Sequence, residues 1–187
     1  MRSTVLFVPG LRDHVAEHWQ TLLAQSLPGS RTVPPLDHDK LSRQARVEAL
    51  DQAVNAIDGP VILVAHSAGC LMVAHWARQI SRPIKGALLA TPADIETPLP
   101  PGYPKLEDLQ ANGWLPLPRA PLPFPTILAA SANDPLCRFE RAAELARDWG
   151  SRFISLGEVG HLNPASGFGP WPGASLHIDA LDATASD

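Results

Sequence analysis

A serine between small residues stands where an apolar run gives way to a helical pattern. The run VILVA at residues 61–65 leads into AHSAG at 65–69, and the helical pattern continues from about residue 68 to 80. A sharp strand-to-helix turn lifts a serine hydroxyl out of the backbone, and small neighbours let the two elements approach closely. The pattern therefore predicts Ser67 as a nucleophile, with a serine that only caps the helix as the alternative.

A nucleophilic serine needs a base, because an unassisted hydroxyl is weakly nucleophilic. His161 lies in GHLN at 160–163, in a loop that follows the last apolar segment, and a glycine precedes it. The other six histidines precede or adjoin the serine, or lie in the tail: His14, His18, His38, His66, His75 and His177. His161 is therefore the predicted base, and the alternative is a surface histidine that bonds locally.

The base needs an acid that orients it and stabilises its protonated form. Asp134 lies in SANDP at 131–135, directly after the apolar run at 126–130. It is the predicted acid. The alternative is an Asp-Pro turn in which the aspartate bonds its own backbone, because such a turn has the same sequence pattern. Asp94, which follows the apolar run at 86–90, is the second candidate.

Acyl transfer also needs N–H donors for the negative charge that develops on the carbonyl oxygen. One is expected from Ala68, directly after the serine. The other is expected from Leu11, after the apolar run at residues 5–8, because Pro9 has no N–H to donate. The histidines lack the spacing of a metal site, and no glycine-rich phosphate-binding motif occurs, so neither a metal nor a cofactor is predicted.

Strand and helix patterns alternate along the chain. Apolar runs typical of buried strands cover residues 5–8, 61–65, 86–90, 126–130 and 152–155, with a weaker one at 31–33. Helical patterns separate most of them, and a last short helix is expected at about 175–181. This alternation predicts an α/β fold of three layers, with a mostly parallel sheet of about six strands between helices. Ligands of such sheets bind at the carboxyl ends of the strands, where the candidate residues lie.

Half of the 20 prolines fall between residues 92 and 125. We expect one domain over residues 1–187, in which residues 92–125 form an ordered loop or lid; a disordered insert is the alternative. Tyr103 and Trp114 in this segment are expected to shape the mouth of the pocket, because the segment follows a strand on the active-site edge.

Composition narrows the class of partner. The net charge is -4 without a basic run, so nucleic acid is not expected as a partner. No apolar run is long enough to cross a bilayer, and none resembles a signal-peptide core, so no membrane association and a cytoplasmic location are expected. Cys70 and Cys137 belong to no metal or redox motif and are expected to be small buried side chains.

Six segments together resemble the compact α/β-hydrolases of the retinoblastoma-binding-protein-nine and YdeN type. They are VPG at 8–10, HWQ at 18–20, AHSAG at 65–69, SANDP at 131–135, GHLN at 160–163 and GFGPWP at 167–172. Each is weak alone, but their joint order over nearly the whole chain is specific. The resemblance implies a Ser-Asp-His triad at Ser67, Asp134 and His161, and a small sheet without a large cap domain. The chain departs from the family at Ala65, for glycine, and at Asn133, where an acidic residue is common.

These observations predict a serine hydrolase that cleaves a carboxylic ester or amide of a small molecule through an acyl-enzyme. An esterase is expected first, although an amidase, a peptidase or a thioesterase would use the same residues. The alternative is a protein-binding module on a hydrolase scaffold with weak or vestigial catalysis, since a fold alone does not set function.

Overall fold

A single six-stranded sheet forms the centre of the computed structural model, which describes residues 2–184. Its strand order is β2-β1-β3-β4-β5-β6, and every neighbouring pair is parallel. The strands are β1 (Thr4–Val8), β2 (Arg31–Thr32), β3 (Val61–His66), β4 (Gly86–Ala90), β5 (Thr126–Ala130) and β6 (Arg152–Ser155). The predicted parallel sheet of about six strands is confirmed.

Within the described residues, six α-helices accompany the sheet. They are α1 (Trp19–Ser26), α2 (Arg43–Asn55), α3 (Ala68–Trp76), α4 (Leu106–Ala111), α5 (Phe139–Trp149) and α6 (Gly173–Asp182). The helix after Ser67 ends at Trp76, where a 3₁₀ turn follows, and is therefore shorter than predicted. The last helix begins slightly earlier than predicted. Among residues 2–184, no helix is both long and apolar enough to span a bilayer.

Side chains on both faces of the sheet are covered, which creates three layers. Leu6 and Val8 of β1 pack with Leu50 of α2 and Leu71 of α3 on one face. Phe7 packs with Trp19 of α1 on the other face, where α6 also lies. Because successive strand residues point to opposite faces, a continuous apolar run is what a strand between two helical layers requires.

The position of the site follows from the strand order. The chain goes from β1 outward to β2 and returns on the other side of β1 to form β3. Crevices form at the carboxyl ends of strands where the order reverses in this way. Gly10 and Leu11 follow β1, and Ser67 follows β3, so all three lie beside this reversal.

The proline-rich segment, residues 92–125, packs against the face that carries α2 and α3. Trp114 is fully buried, and its indole N–H donates to the carbonyl of Leu41 at 2.7 Å. His75 on α3 donates its Nε2–H to the carbonyl of Trp114 at 3.0 Å. The segment also contains α4, which was not predicted. Through these two bonds Trp114 joins the segment to Leu41 and to α3.

Candidate active site

Ser67 occupies a strained turn between β3 and α3. Its φ is 56° and its ψ is -124°, a conformation that side chains with a Cβ rarely adopt. The backbone N–H of Ser67 donates to the carbonyl of Ala90 at 3.1 Å, which holds the turn to β4. A Cβ at Gly69 would lie 2.2 Å from the carbonyl oxygen of Val8, so only glycine lets α3 approach β1 this closely. The turn therefore presents the Ser67 hydroxyl at the top of the sheet.

The structure brings Ser67, His161 and Asp134 together in a hydrogen-bonded row. The Ser67 hydroxyl lies 2.8 Å from His161 Nε2. His161 Nδ1 lies 2.9 and 3.0 Å from the two carboxylate oxygens of Asp134. A carboxylate only accepts, so Nδ1 carries the proton and Nε2 is free to accept one from the hydroxyl. His161 and Asp134 are buried, which protects the bond between their side chains from water.

Asp134 serves its own turn as well as the histidine. Its Oδ1 accepts the backbone N–H of Leu136 at 2.9 Å, which is the local bond expected of an Asp-Pro turn. The two interpretations of Asp134 are therefore compatible, since one carboxylate has room for several donors.

Asp94, the second candidate acid, is directed elsewhere. It pairs with the Arg141 guanidinium at 3.2 Å and accepts the backbone N–H of Glu96 at 3.1 Å. The Thr97 hydroxyl donates to its other oxygen at 3.2 Å. These partners bind both carboxylate oxygens of Asp94, and the structure does not bring it to His161.

Two side chains of the β5–α5 loop hold the loop between β6 and α6, residues 156–172, which carries His161 and which we call the histidine loop. Asn133 Oδ1 accepts the backbone N–H of Gly160 at 2.7 Å, and the Ser131 hydroxyl accepts that of Val159 at 3.1 Å. Ser131 in turn donates to Asn133 Oδ1 at 3.0 Å. Ser131 was not predicted as a site residue, and Asn133 was noted only as a departure from the family. Asparagine and the acidic residue common at this position both carry a side-chain oxygen that can accept a hydrogen bond. That shared property was the one signal in the sequence that could have pointed to Asn133 as a site residue.

A second contact fixes the histidine backbone from the other side. The Ser166 hydroxyl accepts the N–H of His161 at 3.0 Å. Gly160 adopts a φ of 56°, and a Cβ there would lie 2.5 Å from the Ser166 hydroxyl. The glycine before His161 is therefore required both by its backbone conformation and by the space that Ser166 fills.

His66, the residue before Ser67, also contacts the histidine loop. Its Nε2 lies 2.8 Å from the carbonyl oxygen of His161, and since a carbonyl only accepts, His66 is the donor. Burial lowers the pKa of His66 well below its usual value, and the nearby His161 and His18 act in the same direction. His66 is therefore neutral at ordinary pH. His66 is therefore both a buried side chain and a contact of the loop that carries His161.

His18 lies against His66, with ring centroids 4.5 Å apart. Its Nδ1 accepts the backbone N–H of Gln20 at 3.2 Å and so caps α1. Burial, with a smaller contribution from His161, lowers the pKa of His18 to about 4. Two neutral rings, His18 and His66, therefore pack next to His161, with His66 in contact with it.

Leu11 and Ala68, the expected oxyanion donors, both line the cavity at Ser67. Ala68 is the first residue of α3, so its N–H has no carbonyl one turn earlier in the helix. A Cβ at Gly10 would lie only 3.3 Å from the Ser67 Cβ, which shows how closely the β1–α1 loop approaches Ser67. The Arg46 guanidinium donates to the carbonyl of Leu11 at 3.3 Å and anchors that loop.

A cavity of about 250 Å³ opens at Ser67. The proline-rich segment forms one of its walls, and both Tyr103 and Trp114 line it. Arg12 lies over the Tyr103 ring, with the guanidinium carbon 5.4 Å from the ring centroid, so the β1–α1 loop meets the segment at the mouth. Within residues 2–184, no group of three or more His, Cys, Asp or Glu side chains could hold a metal ion.

Solved structures share this fold. A YdeN-like hydrolase from Pectobacterium atrosepticum is 30% identical, with a TM-score of 0.81 over 97% of this chain and 91% of that chain. The ydeN gene product of B. subtilis is 15% identical, with a TM-score of 0.76 over 97% of this chain and 100% of the other. Est1E from Butyrivibrio proteoclasticus is 13% identical, with a TM-score of 0.65 over 97% and 86%. No curated protein matches the chain.

The fold is therefore that of a compact α/β-hydrolase, and no large cap domain is apparent within the described residues. A sequence model described as serine hydrolase matches residues 5–180, which is nearly the whole chain. The match and the YdeN-like relative agree with the resemblance stated from the sequence. The chain belongs to the serine hydrolase family.

Proposed function

We propose that this hydrolase cleaves a carboxylic ester of a small molecule through an acyl-enzyme on Ser67. The observation that carries the proposal is the continuous row of hydrogen bonds from the Ser67 hydroxyl through His161 to Asp134. A serine in such a row can lose its proton to the imidazole as it attacks.

In the first half of the reaction, the Ser67 oxygen attacks the carbonyl carbon while its proton moves to His161 Nε2. The carbonyl oxygen becomes an oxyanion, which the N–H groups of Ala68 and Leu11 would stabilise. The tetrahedral intermediate then collapses, and the bond to the leaving group breaks. His161 Nε2 returns the proton to the departing alkoxide, which leaves as an alcohol.

In the second half, a water molecule attacks the acyl-enzyme and gives its proton to His161 Nε2. The bond between the acyl carbon and the Ser67 oxygen breaks, the proton returns to that oxygen, and a carboxylic acid leaves. Asp134 stabilises the imidazolium in both halves and keeps Nδ1 protonated. Thioesters and amides can follow the same steps, with a thiol or an amine as the leaving group.

A fluorophosphonate probe tests the nucleophile directly. The wild type should be labelled, Ser67→Ala should not, and mass spectrometry should place the label on the peptide that carries Ser67. Ser26→Ala, which removes an exposed hydroxyl at the end of α1, is the matched control and should label as the wild type does. A folded wild type that takes up no probe and hydrolyses no ester would contradict the proposal and favour the binding-module alternative.

A further inference from the structure

The cavity at Ser67 is walled differently on its two sides. Five lining side chains belong to one core cluster and are apolar and at most 5% exposed, and three of them lie in the proline-rich segment: Leu71, Ile95, Leu109, Trp114 and Leu136. We call this group the closed end. On the side of the histidine loop, Pro164 and Ala165 are exposed and Asn163 is half-buried. We call these three residues the open rim.

The closed end offers no charge and no free polar group to a ligand. Four of its five side chains are aliphatic, and the indole N–H of Trp114 already donates to the carbonyl of Leu41. The two acids that flank Ile95 in sequence, Asp94 and Glu96, are both bound to Arg141. A charged ligand group in this end would lose its hydration without a partner, whereas an apolar group would gain by leaving water.

The chemistry decides which part of the substrate occupies the closed end. The leaving group receives its proton from His161, whose own loop forms the open rim. It must also depart while the acyl group is still bonded to Ser67. A leaving group in the closed end would be trapped behind the acyl-enzyme, so the leaving group belongs at the open rim and the acyl group belongs in the closed end.

We propose that the substrate is an ester of an uncharged, compact, apolar carboxylic acid, whose acyl group fills the closed end beneath the proline-rich segment. This inference rests on the acyl-enzyme proposed above. Because the buried wall bounds the closed end, long acyl chains do not fit, while the exposed rim tolerates leaving groups of different size and polarity.

Esters with one leaving group and different acyl groups provide the test. We expect kcat/KM for p-nitrophenyl esters to rise from acetate to butyrate, by roughly tenfold per added methylene, and to fall for dodecanoate. The hemisuccinate, which places a carboxylate where butyrate has a methyl group, should react roughly 100-fold more slowly than butyrate. A flat chain-length series, or a hemisuccinate as good as butyrate, would overturn the inference.

Leu99 allows the closed end to be resized. It is not one of the five closed-end residues, but it is half-buried in the proline-rich segment, lines the same cavity and packs against the core cluster to which those five belong. Leu99→Ala should move the preferred acyl chain to a longer one, and Leu99→Trp should move it to a shorter one. Leu122→Ala is the matched control, because Leu122 is a half-buried leucine of the same segment that packs on the core outside the cavity. An unchanged preference in folded Leu99→Ala would count against the inference.

Fluorophosphonate titration on the same preparations separates the two proposals. If Ser67 is labelled but the acyl series shows no preference for uncharged apolar groups, the acyl-enzyme stands and the closed-end assignment is wrong. If Ser67 is not labelled and no ester is hydrolysed, both fall. Labelling together with the predicted acyl preference supports both.

Discussion

His66 donates its Nε2–H to the backbone carbonyl of His161 over 2.8 Å. The side chain next to Ser67, the proposed nucleophile, therefore holds the main chain of His161, the proposed base. The bond joins the end of β3 to the histidine loop, two segments 95 residues apart in sequence. Because burial keeps His66 neutral, the bond is one between uncharged groups and does not depend on pH in the ordinary range.

Loss of this bond should lower kcat much more than it changes KM. We expect His66→Ala to lower kcat by about 10- to 100-fold, because a small displacement of the base disrupts proton transfer, and to change KM little. His66→Gln, whose amide can donate to the same carbonyl, should recover part of the loss. Steady-state kinetics with one ester measures both values, and wild-type kcat in a folded His66→Ala protein would show that the bond has no positioning role.

Asn133 should act through its acceptor oxygen. Asn133→Ala leaves the Gly160 N–H without its 2.7 Å partner, and we expect this to reduce the free energy of unfolding by about 1 kcal/mol and to lower kcat. Asn133→Asp keeps an oxygen at that position and should stay close to the wild type in both properties. Urea unfolding and ester hydrolysis provide the measurements. Equal losses in the two variants would mean that the acceptor is not what matters.

Much of the fold could be predicted from the sequence because its strands lie between two helical layers. Such strands are continuous apolar runs, and the run at 61–65 followed by AHSAG identifies both β3 and the turn at Ser67. His161 and Asp134 could be selected by their order along the chain and their positions after predicted strands. The structure then brought these residues within hydrogen-bond distance of each other.

Other features depend on contacts that no local pattern reveals. Helix α4 has only six residues and lies among prolines, and the segment around it is held by the bond from Trp114 to Leu41, 73 residues away. Ser131 and Ser166 belong to residue types common in turns, so nothing in the sequence distinguishes them from ordinary loop residues. Only the folded structure shows which N–H groups of the histidine loop their hydroxyls accept.

Acid should destabilise the fold through its buried histidines. Burial lowers the pKa of His75 to about 4 from an ordinary value of 6.5. Between these values the unfolded chain binds a proton that the folded protein does not, so stability is full above about pH 6.5 and is lost as the pH falls towards 4.

His75→Gln should therefore lose less stability than the wild type between pH 7.5 and pH 5, by about 2 kcal/mol. Its amide can still donate to the carbonyl of Trp114. Urea unfolding at the two pH values measures the difference, and His38→Gln at an exposed site should behave as the wild type does. The same pH dependence in His75→Gln as in the wild type would place the acid sensitivity elsewhere.

Two aspartates follow strands of the sheet, and substitution should separate their roles. Asp134→Asn replaces one acceptor oxygen with a donor, which would leave the Nδ1–H of His161 poorly paired and favour the wrong tautomer. We expect kcat to fall by about 10⁴-fold with little change in fold. Asp94→Asn weakens the pairing with Arg141, which also bonds Glu96 at 2.6 Å, so it should affect stability rather than chemistry.

Hydrolysis of one ester gives kcat for Asp134→Asn and Asp94→Asn, and urea unfolding gives the stability of each variant. Asp94→Asn should keep kcat within about tenfold of the wild type, because its carboxylate lies outside the row that ends at Ser67, and any larger effect should accompany a loss of stability. A large fall in kcat for Asp94→Asn at unchanged stability, with Asp134→Asn nearly active, would exchange the two assignments. The distances of 2.9 and 3.0 Å from His161 to the Asp134 carboxylate are the reason to expect the opposite.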